Sequence, residues 1–439
     1  MQNTKYSSFV FLIIMLLLSI ASVHAKEQDR RALWQAKFKK SNPVGRTISD
    51  IDEQSPLEQA GLKVGDLILT IDETRIVDSQ VWYHLTDSLR GNKEYQIQYR
   101  RDGQLQRVSV TFPPAPYESY DGLTTEYDFV VSDYGIKHRT ITTFPSSKKD
   151  KLPAVMVVGG LSCSSIEYTP GRKSNFIKSL QYFVQNVDMV VMRVEKPGIG
   201  DSSGDCSNSD FKTDLNGFET ALSKMLRHPK VDPTKVIIYG SSMGSAIAPY
   251  LANKYELKGV ISDGTFYRSW FEHMLEIERR IKTMQGNDQA EVNRLINKVY
   301  IPLYYGMLIE KKSYQQVVDD NPLLEKYNYH APAHMYGRPV EYYHQVQDFD
   351  FAGNWQRLKA PARIRWGTND WIMSEYDIDM IGEVLSAAGN TNVVISKVVG
   401  MDHWDAFHKS AEDSFNGEKG VWKTSIPQQL IDWAKELVH

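Results

Sequence analysis

Gly240-Ser241-Ser242-Met243-Gly244 sets a serine between two glycines, after an apolar run at residues 236–239 and before a helical stretch at residues 246–255. A strand that turns abruptly into a helix holds its middle residue in a strained conformation. Side chains two positions to either side would collide, so glycine at 240 and 244 lets the Ser242 hydroxyl project from the end of the strand. Ser241 is then a turn residue. A serine hydroxyl at neutral pH is a weak nucleophile; it needs a base within hydrogen-bond reach and a third group to orient that base.

Downstream, two segments supply those types in the order serine, acid, histidine. Trp366-Gly367-Thr368-Asn369-Asp370 ends a strand in a polar loop with a carboxylate, and Val398-Val399-Gly400-Met401-Asp402-His403-Trp404 ends the next with an imidazole. Asp370 is assigned as the orienting acid and His403 as the general base. Asp263, at the end of Gly259-Val260-Ile261-Ser262-Asp263, is the rival acid. Asp402 adjoins His403 in sequence, which points the two side chains apart, and reads as a surface or turn residue. His408 and the histidines at 330, 334 and 344 read as surface or pocket residues. None is spaced like a metal pair, and neither a metal nor a cofactor is expected.

The elements that must position these groups alternate from about residue 123. Apolar runs at 154–158, 189–194 and 236–239 are separated by helical stretches at 175–184 and 211–226, and further runs follow at 259–263 and 362–366. Such alternation predicts a mostly parallel sheet with helices on both faces. The segment of about 265–359 is too long for a loop and is expected to be an inserted helical cap. Its Trp270, Tyr304 and Tyr305, with Trp355 and the later Trp371, either line a pocket or fill the cap core.

Ahead of this lies a smaller unit. Ser55-Pro56 opens a helical turn, Gly61 stops it, Gly65-Asp66 turns into a strand, and Arg101-Asp102-Gly103 joins two strands as a hairpin. Phe112-Pro113-Pro114-Ala115-Pro116 cannot continue a sheet and marks a boundary. The expected organisation is a signal peptide at 1–25, a β-rich domain at 41–113, a linker at 114–122 and the larger domain at 123–439. The signal peptide rests on Lys5, the 12-residue apolar run at 9–20 and Val23-His24-Ala25; the run is too short for the roughly 20 residues that span a bilayer as a helix. It implies a periplasmic or secreted protein with no stable membrane span after cleavage. With 51 basic against 54 acidic residues, the net charge of -3 offers no attraction for a nucleic-acid backbone.

Residues 44–112 resemble a bacterial PDZ domain, and residues 123–438 resemble the α/β-hydrolase superfamily, with 240–244 as its nucleophile elbow. The fold class this implies is α/β: an α/β-hydrolase fold with a cap, preceded by a small PDZ-like domain. The PDZ resemblance implies capture of a peptide, often a C-terminus, by strand addition. Its carboxylate-binding loop would be Ser41-Asn42-Pro43-Val44, just before the strand near Gly45; it is short and lacks a run of glycines. The hydrolase resemblance implies an oxyanion held by the N–H of Met243 and, from Val158-Gly159-Gly160-Leu161-Ser162, that of Leu161, with Gly160 as the alternative. Gly159 departs from the histidine that many relatives carry. Strands preceding Cys163 and Cys206 are neighbours in such a fold, which favours a disulfide closing a loop of about 43 residues. The implied activity is hydrolysis of small carboxylic esters through an acyl-enzyme. A peptidase of aminopeptidase or dipeptidyl-peptidase type, acting on peptides held by the PDZ module, is the alternative.

Overall fold

The structure, a computed structural model, describes residues 30–40, 44–148, 150–169, 174–327 and 334–439. The expected signal peptide, positions 41–43 of the expected carboxylate-binding loop, and His330 lie outside the described residues. The chain divides into two compact units, Met1–Ala115 and Pro116–His439.

The first unit is an antiparallel sheet in the order Ala36–Lys40, Arg46–Ile51, Leu67–Ile71, Glu94–Arg101, Gln104–Thr111, with Thr74–Arg75 pairing Leu67–Ile71. Two helices, Pro56–Gln59 and Ser79–Ser88, accompany it. Ser55 caps the first by accepting from the Glu58 N–H at 3.2 Å. Asp102 and Gly103, both at positive φ, form the tight turn of the last hairpin, as type I′ geometry demands. Ile48, Ile68, Ile97 and Phe112 are fully enclosed in its core. Strand Arg46–Ile51 has neighbours on both edges, and the outermost described strand at that end is Ala36–Lys40.

The second unit is built on eight strands: β1 Leu123–Val131, β2 Lys137–Pro145, β3 Leu152–Val158, β4 Val190–Val194, β5 Val231–Ser241, β6 Gly259–Asp263, β7 Ala362–Gly367 and β8 Val393–Val398. Their order is β8-β7-β6-β5-β3-β4-β2-β1. β3 to β8 run parallel, while β2 pairs antiparallel with both β1 and β4. Successive residues of β3 serve opposite cores: Ala154, Met156 and Val158 join one, Val155 and Val157 the other. Both faces of β3 and of the second half of β5 are covered by apolar side chains, which is why these two strands stand out in the sequence as continuous apolar runs. Helices Asn175–Asn186 and Ser425–Val438 cover one face, and Phe211–Leu226, Met243–Tyr255 and Glu375–Ala387 the other.

Between β6 and β7 lies a helical insertion that includes Trp270–Met284, Gln289–Leu295, Tyr314–Asp320, Val340–Asp348 and Phe351–Gln356, with a two-stranded ribbon, His334–Met335 and Arg338–Pro339. Tyr304 and Trp355 are buried in its core, Tyr305 is exposed, and Trp371 packs on Trp404 at 5.4 Å. Only Trp270 of that aromatic set lines the cavity described below.

Candidate active site

Ser242 sits where β5 passes into helix Met243–Tyr255, with φ 55° and ψ −125°. The two flanking glycines are required by space. A Cβ on Gly240 would lie 2.3 Å from the Gly244 carbonyl oxygen, and one on Gly244 would lie 2.2 Å from that of Val158. The turn is tied to β6, since the Ser242 N–H donates to the Asp263 carbonyl at 2.9 Å. Strain at this residue is thus imposed by the packed strands on either side.

His403 Nε2 lies 3.0 Å from Ser242 Oγ, and His403 Nδ1 lies 2.8 Å from Asp370 Oδ2. The other carboxylate oxygen, Oδ1, accepts from the Ile372 and Met373 N–H groups, both at 2.8 Å. The carboxylate is thereby held in one orientation, and it places the proton of the neutral imidazole on Nδ1, leaving the Nε2 lone pair toward the serine. Burial opposes protonation of His403, but the charge and hydrogen bond of Asp370, with Asp263 and Asp402 beyond, outweigh it and raise its pKa above the ordinary 6.5. Asp263 makes no such contact: both its oxygens are taken by Arg365 of β7, at 2.8 and 2.5 Å.

Two expectations need correction. Asp402 is buried, not superficial: Oδ1 accepts from the Trp404 and Ala406 N–H groups at 2.9 Å, and Oδ2 from Ser414 at 2.8 Å. His408 is half-buried, its ring turned in against the same Oδ2 at 3.1 Å, and does not line the cavity. His344 is half-buried and likewise does not line it.

The loop after β3 faces the serine, for a Cβ on Gly160 would come within 2.9 Å of Ser242 Cβ. Its carbonyls are held by two basic side chains that sequence reading passed over. Lys196, in the turn after β4, donates to the carbonyls of Gly160 and, at 2.8 Å, Ser162; Arg338, from the ribbon, donates to that of Leu161 at 3.3 Å. In a trans peptide the N–H points opposite the preceding C=O, so the Gly160 carbonyl turned toward Lys196 sends the Leu161 N–H the other way. Arg338 also donates to the Cys206 carbonyl at 2.7 Å and pairs with Asp214 at 2.5 Å. Cys163 and Cys206 are joined by a disulfide, which closes the same cluster. Burial, then the charge of Arg338, pushes the Lys196 ammonium down to about 7, although Asp214 and Glu195 work against it.

Above Ser242 and His403 opens a cavity of about 490 Å³. Phe266, Trp270 and Ile277 of the insertion, with Ile177 and Met373 of the core, give it an apolar wall. Among the described residues no cluster of three metal-binding side chains occurs, and no helix is long and apolar enough to cross a membrane. A hydroxyl, an imidazole and a carboxylate in series can attack an acyl carbonyl, and backbone amides beside them can stabilise the oxyanion that forms.

Residues 24–112 match the model of the PDZ domain family. The chain is 23% identical over 246 residues to esterase EstD of Thermotoga maritima, covering 55% of this chain and 52% of that one. The chain carries a PDZ-domain match ahead of a unit with an α/β-hydrolase fold. The chain spans about half the length of that curated relative. It is also 31% identical over 84 residues, 19% of this chain and 18% of the other, to a probable periplasmic serine endoprotease, DegP-like, of Pseudomonas fluorescens. Solved structures similar to the chain include esterase Est22, at 15% identity and a TM-score of 0.44 over 72% of this chain and 80% of that one. Carboxyl esterase 2 of Tuber melanosporum is another, at 15% identity and a TM-score of 0.43 over 74% of this chain and 90% of that one.

Proposed function

We propose that the protein hydrolyses carboxylic esters through an acyl-enzyme on Ser242, with His403 as general base and Asp370 as its orienting acid. The observation that carries this reading is the pair of contacts on one imidazole, 3.0 Å to the hydroxyl and 2.8 Å to the carboxylate. As Ser242 Oγ bonds to the acyl carbon, its proton passes to His403 Nε2. The carbonyl oxygen becomes an oxyanion held by the N–H groups of Met243 and Leu161. Collapse of this intermediate expels the alcohol, which takes the proton from His403. Water then attacks the acyl-serine, giving its proton to His403, which returns it to Oγ as the acid leaves. The Asp370 carboxylate, hydrogen-bonded to Nδ1, stabilises the imidazolium.

Esters are favoured over amides because an alkoxide leaves more readily than an amide nitrogen, and the apolar wall of the cavity suits an acyl chain. The PDZ domain docks a peptide or a protein, and Ala36–Lys40, an outermost strand among the described residues, offers an edge for strand addition. Export to the periplasm fits the charged and apolar segments of residues 1–25 and the similarity to a periplasmic DegP-like protein. That similarity also favours one second reading, a peptidase whose PDZ domain raises the local concentration of peptide.

Hydrolysis of p-nitrophenyl esters of graded chain length, beside aminoacyl and dipeptidyl arylamides, tests the assignment on the full protein. Turnover of short and medium esters is expected. Turnover of arylamides alone overturns it in favour of the peptidase.

A further inference from the structure

His273 lies on the first helix of the insertion, one turn from its start, and lines the cavity above Ser242. It is fully buried, its ring stacked on Phe266 at 4.7 Å and tilted against Trp270 at 4.9 Å. Nδ1 is enclosed with no hydrogen-bond partner among the described residues, and the ring makes no other side-chain hydrogen bond there. Trp270 Nε1, on the same helix and also in the cavity wall, is likewise enclosed without an acceptor. Two polar side chains this deeply buried normally find partners.

The state of the imidazole follows from its surroundings. Burial, together with the positive charges of Arg280, His403 and Arg268, holds its pKa well below the ordinary 6.5, so it is neutral in working conditions. An enclosed N–H without an acceptor costs more than an unused lone pair. The proton therefore belongs on Nε2, and the lone pair on the enclosed Nδ1. The ring thus offers an uncharged N–H donor on the side of the cavity formed by Phe266, Trp270 and Ile277. A carboxylate or phosphate gains no ion pair from such a donor and would lose its own hydration. An ether, hydroxyl or carbonyl oxygen on an apolar body loses little and pairs the donor.

We infer that His273 selects the substrate: the cavity takes esters that carry, besides the scissile group, an uncharged oxygen acceptor which pairs with the His273 N–H. This rests on the esterase reading above and deepens it. The oxygen can sit on the acyl side or the alcohol side of the scissile bond, and isosteric pairs locate it. On the acyl side, p-nitrophenyl pentanoate is compared with p-nitrophenyl 3-methoxypropanoate; on the alcohol side, butyl butyrate with 2-methoxyethyl butyrate.

In the wild-type protein the oxygen-bearing member of one pair is expected to show kcat/KM about tenfold higher or more, carried by KM. The preference is expected to vanish in His273→Phe and to return in part in His273→Gln, which restores an N–H of similar reach. Equal rates within both pairs in wild type, or a preference unchanged in His273→Phe, overturn the inference. Calorimetric titration of the unreactive ketones corresponding to each pair reads the same preference without turnover. Binding preference without hydrolysis therefore strikes down the esterase assignment alone, and hydrolysis without preference strikes down this one alone.

Discussion

Arg338, in the ribbon of the insertion, closes a 2.5 Å ion pair on Asp214 of helix Phe211–Leu226, and neither side chain is exposed. The same guanidinium reaches the carbonyls of Leu161 and Cys206. One cation thus ties the insertion, a core helix and the loop beside Ser242 into a single unit.

Removing one member of such a pair leaves an uncompensated buried charge, which costs more than the pair itself contributes. Arg338→Met is expected to lower unfolding free energy by about 3–5 kcal/mol. Urea denaturation followed by circular dichroism checks this. A loss below about 1 kcal/mol, the range of a surface ion pair, means that the pair is solvated.

Lys196 acts on the same loop through the carbonyls of Gly160 and Ser162. Without it the Gly160 peptide is free to turn, and the Leu161 N–H leaves the position where an oxyanion develops. Lys196→Met is expected to lower kcat about 10- to 100-fold with little change in KM, somewhat less than outright loss of an oxyanion donor. Steady-state kinetics on one ester reads the split; a rise in KM at constant kcat assigns Lys196 to substrate binding instead.

The pH profile follows from Asp370. His403 must be neutral to accept the serine proton, and its raised pKa places the acid limb of kcat/KM above 6.5. Asp370→Asn removes the charge that raises it, so the limb is expected to move down while the maximal rate falls by several orders of magnitude. The linked stability has the opposite sense: the stabilisation from protonated His403 is full below 6.5 and is lost as pH rises through the folded value. A limb that does not move in Asp370→Asn contradicts the assigned cause.

The Cys163–Cys206 bridge spans 43 residues of sequence. Reduction is expected to cost about 4 kcal/mol by the chain-entropy estimate and to slow ester turnover, because Cys163 belongs to the clamped loop. Intact mass with and without reductant establishes the bridge, and melting curves of the two forms establish its effect. Equal melting temperatures contradict the estimate.

How much of this was legible in the sequence depended on whether the cause was local. The elbow was, because steric collision at 240 and 244 writes glycine into a five-residue window. Strand ends also place Asp370 and His403, since parallel strands deliver their C-terminal loops to one edge. Strands β1 and β2 gave no such signal: His138, Arg139, Thr140, Thr142 and Thr143 are buried polar residues, so the segment carries no apolar run although it lies inside the fold. Lys196 and Arg338 were illegible for another reason. They act on backbone carbonyls 36 and 177 residues away, and a carbonyl leaves no mark on residue type. Asp402 and His408 misled for a related reason, since their pairing depends on the chain folding back at Ala406. In the PDZ domain, Ala36–Lys40 is short and lysine-rich, which hid an edge strand in what looked like a polar lead-in.

The most direct test of the account is covalent labelling by a fluorophosphonate, which reacts only with a serine that a neighbouring base has activated. One label per chain is predicted, mapped by peptide mass to Ser242, absent in Ser242→Ala and strongly slowed in His403→Ala. Labelling that persists in Ser242→Ala, or a wild-type protein that takes no label, contradicts it.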